Sequence, residues 1–257
     1  MEQVGRLREQ AFREAGGGTG KNIDIDCHDL ATNGYHQLIA WDIAKKQIVG
    51  GYRYIICSED ATEHISTLKY FTPSPDFVRH YLPYAIELGR SFVVHNGGNS
   101  LFGMSALWQG LAAMVSQIKG VQYLFGKVTV YPHYEAEAYR LLRLFLKQFH
   151  PSQHTLLRAY RPHRIEECNN PFTEGSYDEN YTRLNTLLRQ QGEHLPPMIN
   201  AYMRLCRSMQ CFDTMCNMDF GNTYETAILL PLSEISPIFR ERYFRQQTNL
   251  ESAHGRY

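Results

Sequence analysis

Tyr84-Ala85-Ile86-Glu87-Leu88-Gly89-Arg90-Ser91-Phe92-Val93-Val94 is the stretch on which the fold of this chain turns. Its aromatic and β-branched residues favour a strand. An acid and a base nevertheless sit in its middle, and buried charges are costly unless they are paired or used. In a regular strand Glu87 and Gly89 face one way and Arg90 the other. A bulge at Gly89 would re-aim these side chains. Glu87 and Arg90 are therefore either a structural ion pair or a working one.

Downstream, Asn96-Gly97-Gly98-Asn99-Ser100 breaks the strand. Residues 102–119 then read as a helix, with Leu107, Leu111, Met114, Val115 and Ile118 on one side. Residues 123–131 read as a strand and 135–149 as a helix. Upstream, 35–41 and 48–57 read as strands joined by a polar, hairpin-sized link. Residues 1–15 read as a helix with Val4, Leu7, Ala11 and Phe12 on one face. Gly16-Gly17-Gly18-Thr19-Gly20 stops it. The order hairpin, strand, helix, strand, helix predicts an α/β (α+β) fold, a mixed sheet covered by helices.

Beyond residue 150 the pattern loosens. Residues 150–176 are polar and punctuated by proline. Residues 177–191 read as a helix, and Pro196-Pro197 opens another through 206. Residues 211–220 and 224–232 read as strands joined by Gly221-Asn222, and 238–246 as a closing helix. The expected organisation is a core over 1–150, an extension over 151–247 packed on the same domain, and a disordered tail over 248–257.

The bulk numbers exclude several classes. With 257 residues, 43% of them hydrophobic, the chain can bury a sizeable core. Lys+Arg and Asp+Glu stand at 26 each, which argues against a dedicated nucleic-acid binder. No apolar run reaches the roughly 18 residues of a membrane-spanning helix. The charged N-terminus lacks the apolar stretch of a signal peptide. A cytoplasmic protein is expected, with peripheral contact at the inner face of the membrane left open. The cysteines, Cys27, Cys57, Cys168, Cys206, Cys211 and Cys216, form neither CxxC nor a zinc spacing. Free thiols in a reducing compartment, and no metal, are expected. The histidines read as surface or packing residues. Neither GxxxxGK[ST] nor GxGxxG occurs, so nothing points to a nucleotide P-loop or a Rossmann fold.

Three more groups have chemical potential. Gly97-Gly98-Asn99-Ser100 leads into a helix, where free N–H groups and the helix dipole suit an anion; it is equally a plain turn and cap. Asp24, Asp26 and Asp29 are close enough in sequence to hold a cation or an amine, or to be simply solvated, and they do not match EF-hand offsets. Arg53, amid Tyr52, Tyr54 and Ile55, is placed to pair with a carboxylate or stack on a ring.

In order along the chain come Arg8 and Phe12, Asp26 and Asp29, and Gly50-Gly51-Tyr52-Arg53. Glu87-Leu88-Gly89-Arg90-Ser91, Leu107-Trp108-Gln109-Gly110-Leu111 and Leu124-Phe125-Gly126 follow. Pro196-Pro197, Asp213, Asp219-Phe220 and the apolar 227–232 complete the set. Together these resemble the bacterial amino-acid N-acyltransferases, GNAT-fold enzymes of ornithine-lipid and glycine-lipid synthesis that often carry the label hemolysin. The resemblance covers nearly the whole chain. The first half is also similar to acyl-homoserine-lactone synthases, from which the Gly16–Gly20 segment departs.

The resemblance implies a GNAT-like, splayed central sheet flanked by helices, with a C-terminal helical and two-strand extension. It implies an acyl-carrier-protein thioester (or acyl-CoA) as donor substrate, no bound cofactor, no nucleic acid, and the amine of glycine or ornithine as acceptor. Glu87, with Arg90 and Arg53, would be catalytic. Asp26, Asp29 and Arg8 would serve the acceptor. Gly89, Ser91, Phe92, Val93, Gly97, Gly98, Ser100 and Trp108 would hold the phosphopantetheine arm. The alternatives are a lactone synthase using S-adenosylmethionine and a non-enzymatic lipid-binding protein. Direct membrane lysis is disfavoured by the lack of a strongly amphipathic segment.

Overall fold

The computed structural model describes residues 1–94, 100–152 and 155–244. Helix α1 (Glu2–Glu14) and the single turn α2 (Cys27–Leu30) precede the hairpin β1 (His36–Asp42) and β2 (Gln47–Ile56). A short strand β3 (Phe71–Pro73) and helix α3 (Pro75–His80) lead to β4 (Ala85–Val93). Then come α4 (Ser100–Gln117), β5 (Tyr123–Val130) and α5 (Ala136–Phe149). The remainder is β6 (Leu157–Ala159), α6 (Tyr177–Gln190), α7 (Pro197–Leu205), β7 (Gln210–Asn217), β8 (Thr223–Pro231) and α8 (Pro237–Phe239). The closing helix expected over 238–246 is instead α8 followed by a π turn, Arg240–Phe244.

Six strands form one sheet in the order β1-β2-β4-β5-β8-β7. β4 and β5 run parallel; their outer neighbours pair antiparallel. Gly221 and Asn222 adopt φ of 67° and 56°, the left-handed conformation that tight reversals favour, and so turn β7 back into β8. The 151–247 segment thus supplies two strands to the same sheet. β3 and β6 pair in a separate two-stranded sheet.

The alternation of each strand divides the core. Ile86, Leu88, Leu124, Ile228 and Leu230 face α4, α5 and α7. Leu107, Leu111, Met114 and Val115 of α4 are buried against them, as the helical spacing predicts. Ala85, Ile55, Phe125, Ala227 and Leu229 face the other way, toward α3 and the 3-10 turn Thr67–Lys69. Each fully buried aliphatic or aromatic side chain contributes about 1.5–3 kcal/mol. No helix among the described residues is long and apolar enough to cross a membrane.

Two irregularities in β4 shape the site. β2 pairs Gly51 with Phe92 and Arg53 with Gly89, so Tyr52 alone stands opposite Arg90 and Ser91. The bulge expected at Gly89 therefore falls one residue later, and Arg90 takes a left-handed φ of 50°. On its other edge β4 pairs with β5 from Ala85–Tyr123 to Leu88–Gly126 and no further. Beyond that point the two strands part.

Candidate active site

The parting of β4 and β5 opens a cavity of about 650 Å3. One side is apolar, with Leu88, Met104, Val128, Val130, Met198 and Ala201. The other is charged, with Arg53, Glu87, Arg90, Lys127 and Glu225, and is closed over by Phe12, Ser66, Thr67 and Phe220.

Glu87 is completely buried. Its Oε1 accepts hydrogen bonds from the Thr67 N–H at 2.8 Å, from the Ser66 hydroxyl at 3.2 Å and from the Thr67 hydroxyl. Its Oε2 has no partner. Burial pushes the carboxyl up to about 7, although the charge of Lys127 and the bonds from Thr67 and Ser66 pull the other way. A carboxyl near that value, with one free oxygen at a cavity wall, is fitted to accept a proton at neutral pH. The loop that grips it is itself pinned, because the buried Ser66 N–H donates to the Tyr35 hydroxyl at 2.7 Å.

The arginines belong to a cluster of three guanidiniums and three carboxylates. Arg8 donates to both oxygens of Asp29, at 3.1 and 2.7 Å, and its Nε lies 3.2 Å from Asp24. Arg53 Nη1 meets both oxygens of Asp26 at 2.8 Å and Asp29 at 3.2 Å, with its guanidinium 4.7 Å from the Tyr35 ring. Arg90, re-aimed by the bulge, sets Nε 3.0 Å from Asp24 and lies 4.5 Å from the Phe220 ring. Burial works to raise Asp29, but the bonds from Arg8 and the charges of Arg53 and Arg8 hold it down at about 2. Asp26 is lowered likewise: its burial is outweighed by Arg53. Asp26 and Asp29 also cap α2 reciprocally, Asp26 accepting from the His28 and Asp29 N–H groups and Asp29 from that of Asp26.

The structure brings Glu87, Arg53 and Arg90 together at the cavity, with Gly89, Ser91, Phe92 and Val93 in its wall. Arg8 and Asp29 are buried behind the two arginines and, with Asp26, hold them rather than line the cavity. Trp108 is buried on α4, edge-on to Tyr202 at 5.7 Å; Tyr202 is the one that faces the cavity. Ser100 begins α4, while Gly97 and Gly98 lie outside the described residues. Cys57 is buried and its thiol is pushed up to about 12, which removes it as a nucleophile. His150, buried between the Met209 carbonyl at 3.2 Å and the Tyr177 hydroxyl at 3.1 Å, is the packing residue expected of it.

Sequence reasoning did not single out Lys127 and Glu225, although a charge inside an apolar strand is the same signal that marks Glu87. Their side chains pair at 3.2 Å across β5 and β8. Ser66 and Thr67 carry no such signal. Polar residues in a polar loop acquire meaning only from the carboxylate they face.

The acetyltransferase (GNAT) domain family matches residues 7–109. A glycine N(alpha)-acyltransferase of Phocaeicola vulgatus is 40% identical, over 95% of this chain and 79% of that protein. A glycine N(alpha)-acyltransferase of Bacteroides thetaiotaomicron is 39% identical, over 98% of this chain and 79% of that protein. Among solved structures, the acyl-homoserine-lactone synthase LasI aligns at 20% identity over 50% of this chain and 64% of its own, with a TM-score of 0.36.

Proposed function

The chain belongs to the GNAT-type N-acyltransferase family of these two relatives, and on that premise we propose that it moves a long, often 3-hydroxylated acyl chain from an acyl-carrier-protein thioester to the amine of glycine, the first step of an aminolipid synthesis. The observation that carries this reading is the buried Glu87, whose Oε2 has no hydrogen-bond partner, in the wall of a cavity at the point where two strands part.

An amino acid's amine is mostly protonated at neutral pH, and only the neutral form attacks. Glu87 takes the proton. The nitrogen lone pair then adds to the thioester carbonyl carbon, the C–S bond breaks, the second proton of the now positively charged nitrogen passes to the departing thiolate to leave an amide and a free thiol, and Glu87 releases the first proton to solvent. Backbone N–H groups of Gly89–Val93, released from pairing with β5, are suited to bond the pantetheine amides as an added strand would, and to stabilise the oxyanion. The apolar side around Leu88, Met104 and Met198 suits the acyl chain. Asp26, Asp29 and Arg8 act at one remove, by fixing Arg53 and Arg90. Direct transfer of this kind needs no acyl-enzyme.

The test supplies purified protein with acyl-carrier-protein thioesters and glycine, ornithine or serine, and identifies products by mass spectrometry. N-acylglycine is the expected product. Glu87→Gln lowers turnover by about 10²- to 10⁴-fold. Turnover within a few-fold of wild type removes Glu87 as the base, and a preference for ornithine over glycine overturns the acceptor.

A further inference from the structure

A zwitterionic acceptor carries a carboxylate as well as an amine into a cavity whose wall is mainly apolar. That carboxylate needs a cation, because an unpaired charge there costs several kcal/mol at least. The Lys and Arg side chains in the cavity wall are Arg53, Arg90 and Lys127. The two arginines are tied, with Arg8, into one network with Asp24, Asp26 and Asp29 on the α1 and α2 side, whereas Lys127 stands outside it.

Lys127 is differently placed. It meets one carboxylate, Glu225 at 3.2 Å, and one ring face, Tyr70 at 4.8 Å. An ammonium has three donors, so one is left over, and the side chain is 14% exposed at the cavity wall. Lys127 also shares a face with Glu87. The register partner of Glu87 is Phe125, and Lys127 is the next residue of β5 on that side. Strand spacing and rise put the two positions about 8 Å apart at Cα, and both residues line the cavity. A small α-amino acid carries on one carbon the two groups that this pair is suited to take, an amine for a carboxylate and a carboxylate for an ammonium.

We propose that Lys127 seats the carboxylate of the acceptor, so that Lys127 and Glu87 together select an α-amino acid over a simple amine. Glu225 holds and neutralises Lys127 until the acceptor arrives. This assignment rests on the acyl-transfer reading above and concerns only how that reaction chooses its acceptor.

The experiment compares glycine with glycinamide, which keeps the amine and lacks the carboxylate, using one acyl-carrier-protein thioester at fixed pH. Wild type is expected to favour glycine. Lys127→Met is made together with Glu225→Gln, so that no buried carboxylate is left unpaired, and is read against Glu225→Gln alone. The double variant is expected to lose at least about tenfold more kcat/KM toward glycine than toward glycinamide, mostly through KM, as removal of one charge-assisted contact predicts. Lys127→Arg is expected to keep the preference for glycine. An equal loss toward both acceptors assigns Lys127 a merely structural role and overturns the proposal. So does a wild type that uses glycinamide as well as glycine, while acyl transfer itself stands. Absence of any N-acyl product from wild type with either acceptor overturns the acyl-transfer reading and this assignment with it.

Discussion

Burial holds the Glu87 carboxyl at about 7 against an ordinary 4.5, and that gap links catalysis to stability with opposite signs. Between those two values the folded protein keeps a proton that the unfolded chain has lost. The stability this group contributes is therefore fully present below 4.5 and is lost as pH rises through 7. At about 1.4 kcal/mol per unit the full loss is roughly 3 kcal/mol. Glu87→Gln keeps an acceptor for Thr67 and removes the charge. It should stabilise the protein by up to roughly 3 kcal/mol at pH 8, with the gain vanishing toward pH 4.5. Urea unfolding at the two ends of that range checks this, and equal stability of variant and wild type at pH 8 would refute it. Activity runs the other way: a base must be ionised, so wild-type kcat/KM should climb through about pH 7 and that limb should be absent in the variant. At this scale the sequence was legible where a charge interrupted an apolar strand at Arg53, Glu87 and Arg90, though the same signal at Lys127 and Glu225 was passed over. It was not legible for pairings. Nothing local joins Arg8 to Asp24 and Asp29, because helix and loop meet only when α1 docks beside β4.

The parting of β4 and β5 begins after Leu88–Gly126, and the side-chain-free residue there permits the last close approach. A Cβ on Gly126 would press into the Leu88 carbonyl oxygen, a backbone atom that cannot swing aside. Gly126→Ala should therefore cost about 1–3 kcal/mol, as overpacking of a fitted core does, and should cut activity because the cavity begins at this pair. A thermal melt unchanged from wild type would show that the strands yield freely there. α1 makes a separate case. Its Arg8 is fully buried and meets Asp24 and Asp29, so Arg8→Met leaves three carboxylates to two guanidiniums and should destabilise by about 3–5 kcal/mol in urea titration. A cost under 1 kcal/mol would mean that Arg53 and Arg90 suffice for all three aspartates. The long elements were readable from spacing alone: α1, α4 and α5 from their apolar faces, β4 and β5 from theirs. β3 and β6 were not, since three residues give no period and their pairing bridges Phe71 to Ala159.

In the whole molecule a late strand, β8, is inserted inside the sheet rather than added at its edge. β8 stands between β5 and β7, pairing with β5 from Tyr123–Pro231 to Val130–Tyr224. Sequence periodicity marks 224–232 as a strand but not its neighbour, because pairing across about a hundred residues leaves no local trace. The expected outcome is that residues 1–150 do not fold without the two strands that follow. A chain cut after Leu205 loses Ile228, Leu229 and Leu230, each at most 2% exposed, and bares the full edge of β5. At about 1.5–3 kcal/mol per buried side chain these three alone account for roughly 5–9 kcal/mol. That is comparable with the whole stability of a typical domain, about 5–15 kcal/mol. The truncated chain should show no cooperative melt by circular dichroism and should aggregate through the bared strand. A cooperative transition in it would establish 1–205 as an independent unit. The same cut takes Glu225 from the cavity wall, so placing β8 between β5 and β7 makes formation of the site and completion of the sheet one event.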